Sequence, residues 1–294
     1  MKLGLQIPTY EWATSHASLG DDLATLVRHA EAAGLASVSV ADHLLQAPMV
    51  APPETEMLEA YSTLAFVAAH TTTIDLLTIV TGVTLRHPGV LAKTVTTLDV
   101  LSGGRAWLGI GAAWFDDEHR AFGVPCPPLA ERYERLEEAA QIMLHMWSGD
   151  ELPYVGRHYQ LDQPINNPQV LARPGRPRPP LMIGGDGERK TLRLVARYAD
   201  ACNFNVQGDA AAAAHKLDVL RRWCDAEGRD YDAIEKTCMI RYQLDGGDPA
   251  PLIARLQALA DVGIQRVFGP IRGLGWAEGI DLLHTQVLPA VADL

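Results

Sequence analysis

The amino-acid sequence predicts an α/β chain folded as a (β/α)8 TIM barrel. Three observations carry this. Short apolar runs alternate with amphipathic helical segments from end to end of the 294 residues, which implies a parallel sheet under helical cover. The strand-like runs number eight, nearly all followed by helices, as a closed barrel of about 250 residues plus an insertion requires. No GxGxxG follows the first run, which argues against the alternative, an open doubly wound sheet.

Lys2–Ile7 reads as the first strand, followed by a helix over Asp21–Ala33 with Leu23, Leu26, Val27 and Ala30 on one face and Gly34 as its stop. Ser37–Ala41 is the second strand and Ala60–Ala69 a short helix. Leu76–Thr81 is the third strand, and the helix Pro88–Leu101 carries proline in its first turn. Arg105–Ile110 is the fourth strand, followed by a long helix over Leu129–Trp147. Residues 148–180 are rich in Pro, Gly, Asn and Arg without sustained periodicity. They are read as an insertion between strands four and five, with a hairpin around 154-YVGRHYQL-161. Alternation then resumes with strand Leu181–Ile183, helix Glu188–Ala199, strand Ala201–Phe204 and helix Asp209–Glu227. Strand Lys236–Tyr242, helix Pro249–Val262, strand Arg266–Phe268 and a helix near Trp276–Val291 complete the set. One barrel domain is expected over 1–294, with 148–180 inserted in it.

Composition narrows the partners. A formal net charge of −11 argues against nucleic acid or an anionic membrane and favours a small-molecule substrate. Cys126, Cys202, Cys224 and Cys238 are widely spaced with no CxxC, so neither a disulfide framework nor a zinc site is expected, and a cytoplasmic location is. MKLGLQIPTY reaches proline too soon for a signal-peptide core. No apolar run approaches the roughly 20 residues of a membrane helix.

Barrel active sites lie where the strands end, whereas turns entering strands serve stability. Ser102-Gly103-Gly104-Arg105 enters a strand and is read as a structural turn. The strand exits are Pro8-Thr9-Tyr10, Asp42-His43, Thr81-Gly82-Val83-Thr84, the run from Gly109 to Trp114, Gly184-Gly185-Asp186-Gly187 and Asn203-Phe204-Asn205. Gly111 and its small neighbour Ala112 leave room beside the backbone for a flat ligand, or else form a bend without one. In 183-IGGDGERKTLRL-194, exposed N–H groups between strand and helix suit a phosphate or carboxylate, although a P-loop is absent. The strand 37-SVSVADHL-44 ends in a pair with three readings. Asp42 alone would cap a helix; as metal ligands the pair lacks a second cluster; as chemistry, His43 would move a proton beside an orienting Asp42.

The chain also resembles the bacterial-luciferase-like barrel superfamily, in particular its deazaflavin branch of oxidoreductases that use coenzyme F420. The likeness covers nearly the whole chain and is densest in 76-LLTIVTGVTLRHPGVLAKTVTTLDVLSGGRAWLGIGAAWFDDEHRAFGV-124. It implies a barrel, usually dimeric, with the ring at the top and its phosphate tail near residues 184–187. It also implies a non-prolyl cis peptide near Ile79–Val80, behind the ring. Cofactor contacts are therefore expected at Ile79, Val80 and Thr81, at Gly111 and Ala112, and at Gly184, Gly185, Asp186 and Gly187. Asp42-His43 matches a pair beside the reactive ring carbon in the sugar-phosphate dehydrogenases of the family. Where those enzymes place a carboxylate after the strand-four glycines, this chain has Trp114, which implies a more apolar pocket, with Tyr10, Trp114 and Asn203 on the substrate side. The nearby Asp116, Asp117 and Glu118 are read as favouring a helix N-terminus.

The expected function is hydride transfer between F420 and a small, partly apolar organic substrate, with His43 as proton donor or base. An FMN-dependent monooxygenase using dioxygen and a non-catalytic F420-binding protein are the alternatives; a metal hydrolase is disfavoured. Arg173, Arg176 and Arg178 would meet the anionic tail if the insertion folds over the top, or else lie on a solvated connector.

Overall fold

A computed structural model describes residues 1–294. Eight parallel strands make the barrel: β1 Lys2–Ile7, β2 Ser37–Val40, β3 Asp75–Thr78, β4 Leu108–Gly111, β5 Leu181–Gly184, β6 Ala201–Phe204, β7 Glu235–Met239 and β8 Arg266–Gly269. Their lateral order runs β3-β2-β1-β8-β7-β6-β5-β4. Thr81–Gly82 then closes the ring by pairing with Ile110 and Gly111 of β4, while Leu76 bridges Ala106. The outer helices are α1 Leu19–Ala32, α2 Ala60–His70, α3 Pro88–Leu101, α4 Asp116–Ala121, α5 Leu129–Trp147, α6 Thr191–Tyr198, α7 Ala210–Glu227, α8 Ala250–Asp261 and α9 Trp276–Leu282. The main core lies between sheet and helices. Leu77, Trp107, Met182, Ala201 and Phe268 form a second cluster.

The third strand is not continuous as expected. Its ladder to β2 ends at Thr78, the Ile79–Val80 peptide is cis, and pairing resumes at Thr81 with the opposite neighbour. The fourth strand starts at Leu108 rather than Arg105. The Arg105 side chain turns away to donate to the carbonyls of Ala68, Thr71 and Ile74, satisfying the end of α2. The seventh strand stops at Met239, and Tyr242–Gln243 joins Ile271–Arg272 in a small separate ladder. The predicted hairpin forms between Tyr154–Val155 and Gln160–Leu161. No helix is long and apolar enough to cross a membrane.

Of the two readings of the arginine stretch, neither an arch over the top nor a solvated connector is found: residues 173–178 run to the entry end of the strands. Arg176 forms a two-bond pair with Asp75 at the start of β3, at 2.7 and 2.9 Å, and Arg178 binds Asp200 just before β6. Arg173 lies against Gly104 in the turn before β4. All three arginines therefore sit at the entry ends of the strands, where Asp75 and the Trp107 face hold Arg176 and Asp200 holds Arg178. A cavity of about 1070 Å³ opens at this end, lined among others by Trp107, Arg176, Tyr231 and Lys236. It lies away from the strand exits.

Glu31 on α1 anchors the turn into β3: its Oε1 accepts N–H bonds from Thr72, Thr73 and Ile74 at 2.8, 2.6 and 3.0 Å. Burial opposes ionisation, but these bonds outweigh it and hold the carboxyl at about 2, against an ordinary 4.5. A depressed folded pKa gives stability that is full above the ordinary value and lost as pH falls through the folded one. Glu31→Gln is expected to lower stability at pH 7 and to flatten the loss of stability between roughly pH 4.5 and 2. Urea titrations across that range check this; parallel curves for the two proteins would contradict it.

Candidate active site

The strand exits converge as the barrel requires. β2 delivers Asp42 and His43, and β4 delivers Trp114 and Phe115 through a left-handed residue, Ala113, at φ 60°. That conformation is uncommon for a residue with a Cβ. It lifts the chain out of the sheet, leaving Trp114 half-exposed and Phe115 buried. The two rings stack with centroids 5.0 Å apart and an interplanar angle of 13°. Both stand nearly perpendicular to the His43 imidazole, with centroids 5.6 and 5.9 Å away. His43 and Trp114 are thus brought together as expected, with an aromatic wall beside the imidazole.

Asp42 does not orient His43. It is buried, and its Oδ2 accepts from Arg86 at 2.8 Å, while Arg86 also reaches Glu59. Its Oδ1 has no partner. Burial pushes the Asp42 carboxyl up, and the Arg86 charge opposes that rise. The carboxylate on His43 is Glu118, whose two oxygens both lie 3.2 Å from Nδ1. In sequence Glu118 groups with Asp116 and Asp117 as a helix-start acid. Those two are exposed as that reading requires, but Glu118 is only 1% exposed and faces inward. Successive helical residues rotate by about 100°, so the third acid of the run points to the side opposite the first. Burial works against its charge, yet the bonds from His43 and from the Leu44 and Leu45 N–H groups hold the Glu118 carboxyl below its usual range. The next residue, His119, is also buried. Its Nδ1 donates to the Phe115 carbonyl at 2.8 Å, so Nε2 accepts from the Thr84 hydroxyl at 2.7 Å. α4 thereby ties the exits of β2, β3 and β4 together.

The glycines of β4 and β5 have a specific neighbour. A Cβ on Gly111 would meet Val80 Cγ2 at 2.9 Å, and one on Gly184 would meet Val80 Cγ1 at 2.9 Å. A Cβ on Gly109 would strike the Thr78 carbonyl at 2.3 Å. The room at Gly111 is therefore filled by the Val80 side chain, not left for a flat ligand. Ile79 and Val80 are partly exposed above the Leu77–Trp107 cluster, and they supply the apolar floor of the crevice. Ala112 follows, partly exposed.

In the loop after β5, Gly185 has φ 129° and donates its N–H to the Asn203 carbonyl at 3.0 Å. Asp186 accepts from the Asn205 N–H. A Cβ on Gly187 would meet the Thr191 and Tyr133 hydroxyls at 2.7 and 3.0 Å. The N–H groups of Gly187, Glu188, Arg189 and Lys190 donate to no protein acceptor, and these residues lie at the surface ahead of α6. Such a turn can receive an anion.

Three expected contacts fall elsewhere. The Thr81 hydroxyl is buried between Tyr61 and Thr78, at 2.7 and 3.1 Å, behind the floor. Tyr10 is packed in the main core, where burial raises its hydroxyl to about 12. Asn203 is buried with its Oδ1 accepting from Thr237 at 2.9 Å. A strand-end position does not guarantee a side chain open to the mouth: Thr81 turns outward onto Tyr61, whereas Asn203, on the same face as Ala201, is held inside the barrel by Thr237. No group of three His, Cys, Asp or Glu could hold a metal ion.

A family model described as luciferase-like monooxygenase matches residues 1–261. An F420-dependent glucose-6-phosphate dehydrogenase from Kineococcus radiotolerans is 31% identical over 90% of this chain and 74% of its own length. Further enzymes of that description match over less of their length, 64% in one and 32% in another. An F420-dependent hydroxymycolic acid dehydrogenase from Mycobacterium tuberculosis is 28% identical over 90% of this chain and 83% of its own. Among solved structures, an F420-dependent secondary alcohol dehydrogenase in complex with an F420-acetone adduct superposes with a TM-score of 0.83 at 19% identity, covering 99% of both chains. That likeness is one of fold.

Proposed function

This chain belongs to the luciferase-like monooxygenase family, and from that premise we propose that it is an F420-dependent oxidoreductase acting on a small, partly apolar alcohol or carbonyl compound. The observation that carries the reading is His43, held by a buried carboxylate beside an aromatic wall at the strand exits. The family resemblance and the F420-dependent relatives support the cofactor.

The residues present fit a deazaflavin. Val80 and Ile79 offer an apolar floor for a flat ring, and the unbonded N–H groups of residues 187–190 suit its phosphate. When bound, the deazaflavin carries a hydride to or from the substrate carbon. The chain's own part is to hold the substrate carbon over the ring and to move the matching proton at His43 Nε2, which has no protein partner. Trp114 and Phe115 present hydrocarbon where a sugar-phosphate enzyme needs polar groups. This favours an apolar substituent over the phosphosugar named for the Kineococcus relative.

Titration of the purified protein with F420 and with FMN tests the cofactor. F420 is expected to bind at least about tenfold more tightly, a difference of about 1.4 kcal/mol. Tight FMN with no F420 binding would transfer the site to dioxygen chemistry. F420 binding with no turnover across a panel of alcohols and ketones would leave a binding protein.

A further inference from the structure

We propose that Glu118 is the positioning residue of this site, fixing His43 in the tautomer that carries its proton on Nδ1 and leaves Nε2 as the working nitrogen. The role rests on the reading of His43 as the proton-transfer group. It goes beyond that reading by assigning the orienting function to a residue on a different element from His43.

The geometry has three parts. First, Glu118 is only 1% exposed, and both its oxygens stand 3.2 Å from Nδ1. A carboxylate accepts and does not donate, so the Nδ1 facing it must carry hydrogen. Second, Glu118 Oε1 also accepts the N–H groups of Leu44 and Leu45, at 2.5 and 3.2 Å. The same oxygen therefore fixes the backbone after His43 as well as its ring. Third, the neighbouring His119 clamps α4 through Phe115 and Thr84, so a six-residue helix keeps its carboxylate in place. The stacked rings of Trp114 and Phe115 stand nearly perpendicular to the imidazole. The charged groups around His43 are Glu118 on α4 and Asp42 on its own strand, the latter matched by Arg86. The anion that acts on the ring is thus Glu118.

Asp42 is the more conspicuous neighbour in sequence, but it makes no bond to His43. An ion pair with Arg86 occupies it.

The test is nitrogen-15 NMR of the imidazole in the intact protein, with and without saturating F420, the His43 signals being identified by their loss in His43→Ala. Wild-type protein near neutral pH is expected to show Nδ1–H and a bare Nε2. In Glu118→Gln an amide N–H₂ replaces one oxygen facing Nδ1, so the Nε2–H form should appear. F420 affinity and KM should stay within about twofold, and kcat should fall by about 10- to 100-fold. A wild-type His43 with its proton on Nε2, while turnover still depends on His43, would overturn the role of Glu118 alone. That measurement requires no Glu118 variant to fold. Turnover indifferent to His43→Ala would overturn the proton-transfer reading, and with it this role.

Discussion

His43→Ala is expected to lower turnover by about 10²- to 10⁴-fold, the usual contribution of a positioned acid or base, while F420 binding stays nearly unchanged. The separation follows from where the groups sit. The proposed floor is Ile79 and Val80 and the proposed anion turn residues 187–190, and the imidazole bonds to neither, only to Glu118. Removing the ring deletes a proton acceptor and some edge contacts with Trp114 and Phe115, and leaves the rest of the crevice standing. Moving a hydride to or from an alcohol carbon must be balanced by a proton at oxygen, and His43 Nε2 has no protein partner. His119, on the same helix as Glu118, is buried with both nitrogens bonded. Stopped-flow turnover with saturating cofactor, alongside a fluorescence binding isotherm, checks both halves. A variant that binds F420 and turns over at the wild-type rate would remove His43 from the chemistry.

Asp75→Ala is expected to cost about 3–5 kcal/mol of stability at pH 7 with little change in kcat. This is the usual cost of breaking a buried ion pair by removing one partner. Asp75 takes two bonds from Arg176 and a third from Arg266 at 3.1 Å. Arg266 is 1% exposed, and both guanidiniums lie on the Trp107 ring, at 5.1 and 4.6 Å. Without Asp75, two cations share one indole with Glu235 as the remaining anion on Arg266. Burial opposes ionisation of Asp75, but Arg176 and Arg266 overcome it and set the carboxyl below its ordinary value. Its contribution is therefore full above the ordinary carboxylate range and lost as pH falls through the lower folded value. Urea unfolding of the two proteins decides the point. A loss under about 1 kcal/mol would mean that water compensates the arginines, as at an exposed pair.

Much of the scaffold was legible because its signals are local. Pro88 at a first turn and the helical spacing of apolar residues up to Trp147 placed α3 and α5 at their observed ends. The eight alternations gave the barrel, and barrel geometry gave the end at which His43 and Trp114 meet. Direction was not legible. Three arginines in a proline-rich insertion look alike whether they arch over the top or reach under the bottom, and Asp75 and Asp200 decide it. Three acids in a row read as a solvated helix start, while helical rotation buries the third. Alternation likewise turns Thr81 outward onto Tyr61, while Asn203 keeps the inward face but is buried there with its oxygen on Thr237. Asp42 beside His43 in the chain drew the orienting role, yet chain adjacency at a strand end sends neighbours to opposite sides.

Val80 between Gly111 and Gly184 works as a gauge. Its two methyl groups rest on positions with no side chain, so the level of the crevice floor is set by main chain on both sides. Residues at the rim, Trp114 above all, can change without altering that level. Substitution at the rim can therefore vary what the strand exits admit while the level of this apolar surface stays where it was.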